Sequence, residues 1–187
     1  MTTKSRGITL VIIVIMLLII ISVITYYYIN LYQRKTIKMS IQNMKLSDKG
    51  RKELELSEGK RYRAYKDSAG LYTTGIGHLI RPDETYLITK VLTEKEVQDI
   101  FTKDIIKHEK IVKEKIKVDV SQGLYDALVS LAYNTGTIYK SIVDLVNEGD
   151  MEALAKRWRT TAITVNNGRT IIAGLQRRRE REVNLFA

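Results

Sequence analysis

The sequence predicts an α+β domain, mostly helical, in which a small antiparallel sheet lobe joins a helical lobe, preceded by one N-terminal transmembrane helix. Three observations carry this prediction. No residue from Gly7 to Gln33 is charged. Between Tyr62 and Gly77, strand-favouring side chains alternate with turn formers in short groups. From Thr93 onward, apolar residues recur at helical spacing.

Residues 1–7 read as a cytoplasmic tail and residues 8–29, ITLVIIVIMLLIIISVITYYYI, as a signal-anchor helix. About 20 apolar residues cross a bilayer as a helix. Tyr26, Tyr27 and Tyr28 stand where an aromatic belt forms. A cleaved signal peptide has a shorter apolar core and small residues at its cut site. A buried core helix is the alternative, and apolar residues on every side argue against it. Residues 30–46 have mixed polarity and read as a tether. The domain proper is 47–187. Ser47 is placed to cap a helix of about two turns that ends near Glu58-Gly59. Tyr62, Ala64 and Tyr65, the turn Asp67-Ser68-Ala69-Gly70, and Leu71 to Thr74 predict a tight antiparallel sheet. Pro82 opens a loop. Thr93 and Glu96 form a capping box, followed by Val97, Ile100, Phe101, Ile105 and Ile106. Ser121 caps a helix with Leu124, Leu128, Leu131 and Ala132 on one face, stopped at Asn134-Thr135-Gly136. Two short helices follow around Ile142 to Val146 and Met151 to Trp158, with Trp158 expected to be buried. Asn166-Asn167-Gly168 is a turn, and AGLQRRREREVNLF closes the chain as a helix.

Composition narrows function. The net charge is +10, from 31 Lys+Arg and 21 Asp+Glu. Half of that charge belongs to residues 1–39, which hold Lys4, Arg6, Arg34, Lys35 and Lys38 and no acid. The remainder is moderately basic and favours an acidic polymer without choosing among nucleic acid, anionic lipid and cell wall. The absence of Cys excludes disulfides, thiolate metal sites and a cysteine nucleophile. Metal-ligand spacing, a phosphate loop and a serine-nucleophile motif are also missing, so no cofactor and no metal is expected.

Glu58 and Asp67 are nine positions apart, with Thr73 beyond them. A chain that turns back between them brings two carboxyls to one cleft, as glycosidic hydrolysis requires. One protonates the leaving oxygen and the other activates water or stabilises the oxocarbenium-like transition state. Leu56, Tyr62 and Tyr65 are placed to give Glu58 apolar surroundings, which would set the two acids apart. The Thr73 hydroxyl can position a water. By spacing alone, solvated surface acids are the commoner reading. Gly75-Ile76-Gly77 lacks the context of a dinucleotide site and fits tight turns in a sheet better.

The run Glu58-Gly59-x-Arg61-x-x-Ala64-Tyr65-x-Asp67-x-x-Gly70-x-x-Thr73-x-Gly75-Ile76-Gly77-His78 resembles the active-site segment of the phage-type lysozymes and endolysins, glycoside hydrolase family 24. LVSLAYNTG (128–136) and GLQRRREREVNLF (174–186) are similar to the family's mid-chain and closing helices, so the likeness covers about 47–187. It implies a lysozyme-like fold and inverting hydrolysis of the β-1,4 bond between N-acetylmuramic acid and N-acetylglucosamine in peptidoglycan. Glu58 then matches the proton donor, Asp67 the second acid and Thr73 the third member of the set. Ser57, where an apolar residue is frequent, and Thr74, where Ile is frequent, depart from the pattern. A lytic transglycosylase and a non-catalytic wall-binding protein are the alternatives on the same scaffold.

Asp104 falls near the apolar stripe of its helix, where a carboxylate needs a partner. His108 is in reach along the helix and His78 from the sheet; the resemblance favours His78–Asp104 as a structural pair. Arg177-Arg178-Arg179 is interleaved with Glu180 and Glu182 and lacks an aromatic series, so it reads as a solvated helix face with internal ion pairs. No nucleic acid partner is expected, and the chain is expected to act as a monomer. Basic residues flank both ends of the anchor, so charge leaves its orientation nearly tied. A wall-degrading domain must face the periplasm or cell wall from the cytoplasmic membrane. The arrangement resembles signal-arrest-release endolysins, whose anchors are rich in Ala, Gly and Ser. This one is mostly Ile, Val and Leu, so a permanent tether and later release both remain open.

Overall fold

The computed structural model describes residues 13–28, 40–67, 70–165 and 170–187. The chain divides into two compact units, Met1–Lys38 and Met39–Ala187. In the first, residues 13–28 form helix α1, with its apolar side chains exposed. No described helix is long and apolar enough to cross a membrane. Residues 1–12 and 29–39, which include the rest of the expected span and most of the expected tether, lie outside the described residues.

The second unit starts earlier than Ser47. Ile41 and Met44, from the stretch read as tether, are buried at 4 % and 1 % exposure in the main core. The Leu46 N–H donates to the Glu109 carboxylate at 2.5 Å. Ser47 caps α2 (Asp48–Glu58), its Oγ accepting from the Gly50 N–H at 3.0 Å. The helix has three turns, one more than expected, and stops at Gly59, whose φ of +72° suits glycine.

Strands β1 (Arg61–Lys66), β2 (Tyr72–Gly75) and β3 (His78–Leu79) form an antiparallel sheet in that order. Tyr65 pairs with Thr73, and Thr74 with His78. Short 3-10 turns over Pro82–Ile88 replace the expected loop. The Thr93–Glu96 capping box then opens α3 (Glu94–Lys115). At about 1.5 Å per residue its 22 residues form a spine of roughly 33 Å. Its first half supplies Val97, Phe101 and Ile105 to a core with Leu54 and Ile76. Its second half supplies Val112 to the larger core around α4 (Gln122–Thr135). One helix thus backs both lobes.

Helices α5 (Lys140–Glu148) and α6 (Met151–Arg159) pack beside α4, with Trp158 fully buried. A hairpin, β4 (Thr164–Val165) and β5 (Thr170–Ile171), flanks the expected turn at Asn166-Asn167-Gly168, which lies outside the described residues. Helix α7 (Ala173–Val183) closes the domain. Here the expectation of a solvated arginine face fails. Arg177 is exposed, but Arg178 is 5 % and Arg179 0 % exposed. They share one helical stripe with Leu175, Glu182 and Val183, and that stripe faces inward because its charges are matched there.

Candidate active site

Glu58 ends α2, so its side chain leaves the helix where the chain turns into the sheet. Its Oε1 accepts from Arg178 Nη1 at 2.5 Å. Its Oε2 sits against the β2–β3 turn, where a Cβ added to Gly77 would lie only 2.9 Å away. Gly77 has a φ of +72°, and the missing side chain makes room for the carboxylate. Of the three apolar neighbours expected for Glu58, Leu56 and Tyr62 turn elsewhere and only Tyr65 stays within reach. Leu56 is 75 % exposed, and the Tyr62 hydroxyl donates to Glu94 at 2.6 Å. A guanidinium from a helix 120 residues away takes their place.

Asp67 follows β1. Its backbone N–H donates to the Leu71 carbonyl and its Oδ1 accepts from the Leu71 N–H, both at 2.9 Å. With the Gly70 N–H donating to the Asp67 carbonyl at 3.0 Å, these bonds close a tight turn at the end of β1. Thr73 is the cross-strand partner of Tyr65, so those two side chains share a face of the sheet. Thr73 is buried at 5 % exposure. Tyr65 connects this face to Glu58. Burial pushes its phenol pKa up, the negative charge of Glu58 pushes it further, Arg61 opposes, and Asp67 adds a smaller push. Thr73 thus stands opposite Tyr65 on the sheet, and the charges of Glu58 and Asp67 both reach that tyrosine.

His78 lies behind the turn at 6 % exposure. Its Nδ1 is 2.6 Å from Asp104 and its Nε2 3.1 Å from Glu84. Asp104 also accepts from Lys107 at 2.8 Å, and Glu84 from Arg81 at 2.7 Å. Burial lowers the His78 pKa, but the carboxylates on both ring nitrogens outweigh burial and hold it above the ordinary histidine value. The Arg81 guanidinium holds Glu84 down to about 2. For Asp104, burial raises the pKa and the His78 and Lys107 donors bring it below the usual carboxylate range. His108 Nδ1 donates to the Asp104 backbone carbonyl at 2.7 Å, not to its carboxylate, and burial lowers the His108 pKa. Among the described residues no His, Asp and Glu cluster is arranged to hold a metal.

The residues missed from sequence are Arg178, the partner of Glu58, and Glu84, the second partner of His78. Arg178 had a signal. Leu175, Arg178, Arg179, Glu182 and Val183 follow the spacing of a buried face, so the arginines and Glu182 belong to the stripe rather than to solvent.

A small sheet with two acids, a backing helix and a helical lobe is the arrangement of a lysozyme. The chain belongs to the phage lysozyme family, whose pattern matches residues 55–182. It is 33 % identical over 147 residues to an endolysin of Acyrthosiphon pisum secondary endosymbiont phage 1, a match covering 76 % of this chain and 98 % of that protein. It is also 33 % identical over 110 residues to a SAR-endolysin of bacteriophage PS119, covering 54 % of this chain and 62 % of that protein. Among solved structures, an endolysin from Escherichia coli O157:H7 phage FAHEc1 superimposes with a TM-score of 0.67. That match has 31 % identity and covers 77 % of this chain and 94 % of the other.

Proposed function

We propose that this chain is an endolysin, a muramidase that hydrolyses the β-1,4 bond between N-acetylmuramic acid and N-acetylglucosamine in bacterial peptidoglycan, leading to host lysis. The observation that supports the reading is the seating of Glu58 between Arg178 and the Gly77 turn, beside the sheet that carries Thr73 and leads into Asp67. Glu58 protonates the glycosidic oxygen. Its Oε1 is taken by Arg178, which leaves Oε2 to carry the proton. The Asp67 carboxylate and the Thr73 hydroxyl hold the attacking water on the other face of the sugar, which inverts the anomeric centre. His78 and Asp104 brace the turn that carries Gly77 and take no part in proton transfer.

The test is zymography of the full chain on peptidoglycan beside Glu58→Gln. The wild type clears the substrate and the variant does not. Product mass separates hydrolysis from transglycosylation, since the anhydro product is lighter by one water. An anhydro product, or clearing by Glu58→Gln, would refute the mechanism.

The membrane anchor is part of the proposal. The described helix α1 presents Ile, Val and Leu on all sides. Its polar side chains turn inward to their own backbone: Ser22 Oγ donates to the Ile19 carbonyl and Thr25 Oγ1 to the Ile21 carbonyl, each at 2.7 Å. A bilayer demands such internal satisfaction. The similarity to a SAR-endolysin supports the same reading. The chain then acts as a single copy held in the cytoplasmic membrane by one pass, with its catalytic domain on the wall side. Fractionation with and without membrane depolarisation reports topology and release together. Recovery of the chain in the soluble fraction before depolarisation would overturn the anchor.

A further inference from the structure

Glu58 depends on a guanidinium whose own position is set by a second carboxylate. Glu182, at 3 % exposure, receives donors from three elements. Its Oε1 accepts from Ser130 Oγ of α4 at 2.6 Å and from Arg178 Nε at 3.1 Å. Its Oε2 accepts from Trp158 Nε1 of α6 at 2.9 Å and from Arg179 Nη1. Arg178 is bound on every edge: Nε to Glu182, Nη2 to the Ser130 carbonyl at 3.0 Å, and Nη1 to Glu58. Arg179 is tied to the Thr161 carbonyl and to Asn134.

We propose that Glu182 is a positioning residue for the reaction: its carboxylate fixes the Arg178 guanidinium so that one arm is presented to Glu58 Oε1. The inference rests on the reading of Glu58 as proton donor. The geometry is that of a planar fork. A guanidinium offers donors in fixed directions, so fixing Nε and Nη2 determines where Nη1 points. Two cations, Arg178 and Arg179, meet two carboxylates, Glu182 and Glu58, in a largely buried space. If the Glu182 charge is removed, one cation remains uncompensated beside Glu58, and it disfavours the protonated acid. Tyr65 from β1, His108 from α3 and Tyr133 from α4 also lie within electrostatic reach of Glu58, and Arg181 of α7 donates to the adjacent Ser57 at 3.2 Å. None supplies a fixed charge to replace that of Glu182.

The test uses the full chain in detergent, comparing Glu182→Gln with the wild type and with Leu154→Ala, a buried residue of the main core that serves as the stability control. Two readouts are taken at a temperature where all three are folded. The first is the carbon-13 titration of the Glu58 carboxyl. In Glu182→Gln it moves to lower pH, while Leu154→Ala leaves it at the wild-type position. The second is turnover of a soluble glycan fragment of peptidoglycan. In Glu182→Gln, kcat falls on the order of tenfold with KM unchanged. The limb of the pH profile on which the donor loses its proton moves to lower pH. An unmoved titration, or a kcat and pH profile matching those of Leu154→Ala, overturns the assignment. A shifted titration in a chain whose wild type cleaves no glycan supports the Glu182–Glu58 coupling and refutes the muramidase reading instead.

Discussion

Replacing Gly77 with Ala puts a methyl group where Glu58 keeps its carboxylate. Two costs are separable. The first is conformational: Gly77 has a φ of +72°, and an L-residue in that region is strained by about 1–2 kcal/mol. The second is steric. The added Cβ would lie 2.9 Å from Glu58 Oε2, so the carboxylate must withdraw by roughly 0.5 Å to reach an ordinary contact. A free glutamate would swing away, but Glu58 is held by Arg178 at 2.5 Å on its other oxygen. Gly149→Ala isolates the first cost, because Gly149 has a φ of +77° and nothing within 4 Å of its Cβ position. Both variants should lose about 4 °C in Tm. Only Gly77→Ala should lose turnover, by about tenfold for a displacement of this size. The assay is turbidity loss of a peptidoglycan suspension, normalised to folded protein by circular dichroism. Equal activity of the two variants would refute the tight seating of Glu58 on the turn.

Other substitutions probe the frame. His78→Asn should cost about 3 kcal/mol near pH 5.5, since it strips a buried donor from Asp104 and Glu84, and it should lower stability more than turnover of the folded enzyme. The sign with pH follows from the raised His78 pKa. That stabilisation is complete below the unfolded value of about 6.5 and is lost as pH rises through the folded value. The Glu84 contribution is present above about 4.5 and fades as pH falls toward about 2, and the lowered Asp104 contribution is likewise lost as pH falls through its folded value. Denaturant titrations should therefore give a smaller His78→Asn penalty at pH 9 than at pH 5.5, and equal penalties would count against the charged network. Gly123→Ala would drive a Cβ to 1.8 Å from the Leu185 carbonyl oxygen. It should cost about 1–3 kcal/mol by displacing the chain after α7, read as a lower denaturation midpoint.

Local chemistry was legible in the sequence where the signal and its partner are neighbours. Ser47, Thr93 and Ser121 each cap the helix that follows because a hydroxyl meets an N–H three residues on. The sheet was legible through its turn residues, and Trp158 through its helical stripe. Glu58 and Asp67 could be picked out as candidate acids only because the residues around them resembled a family. What stayed hidden depends on tertiary pairing. Arg178 looked solvated because only its own-helix partner Glu182 is visible along the chain, whereas its other partners are Glu58, 120 residues earlier, and Ser130 on α4. Ile41 and Met44 looked like tether because two apolar residues make no period, and their pocket is built by α3 and α4. Leu56 and Tyr62 were credited to Glu58 from sequence proximity, but a helix end and a strand send neighbouring side chains in different directions.

The ion pair between Glu58 and Arg178 also sets an order in time. A ribosome makes the acid well before the base that grips it, 120 residues later. As the chain is made, Glu58 lacks this clamp until residue 178 has been synthesised and folded back against α4. A chain cut short before α7 would carry all three members of the Glu-Asp-Thr set and still leave its first acid unheld.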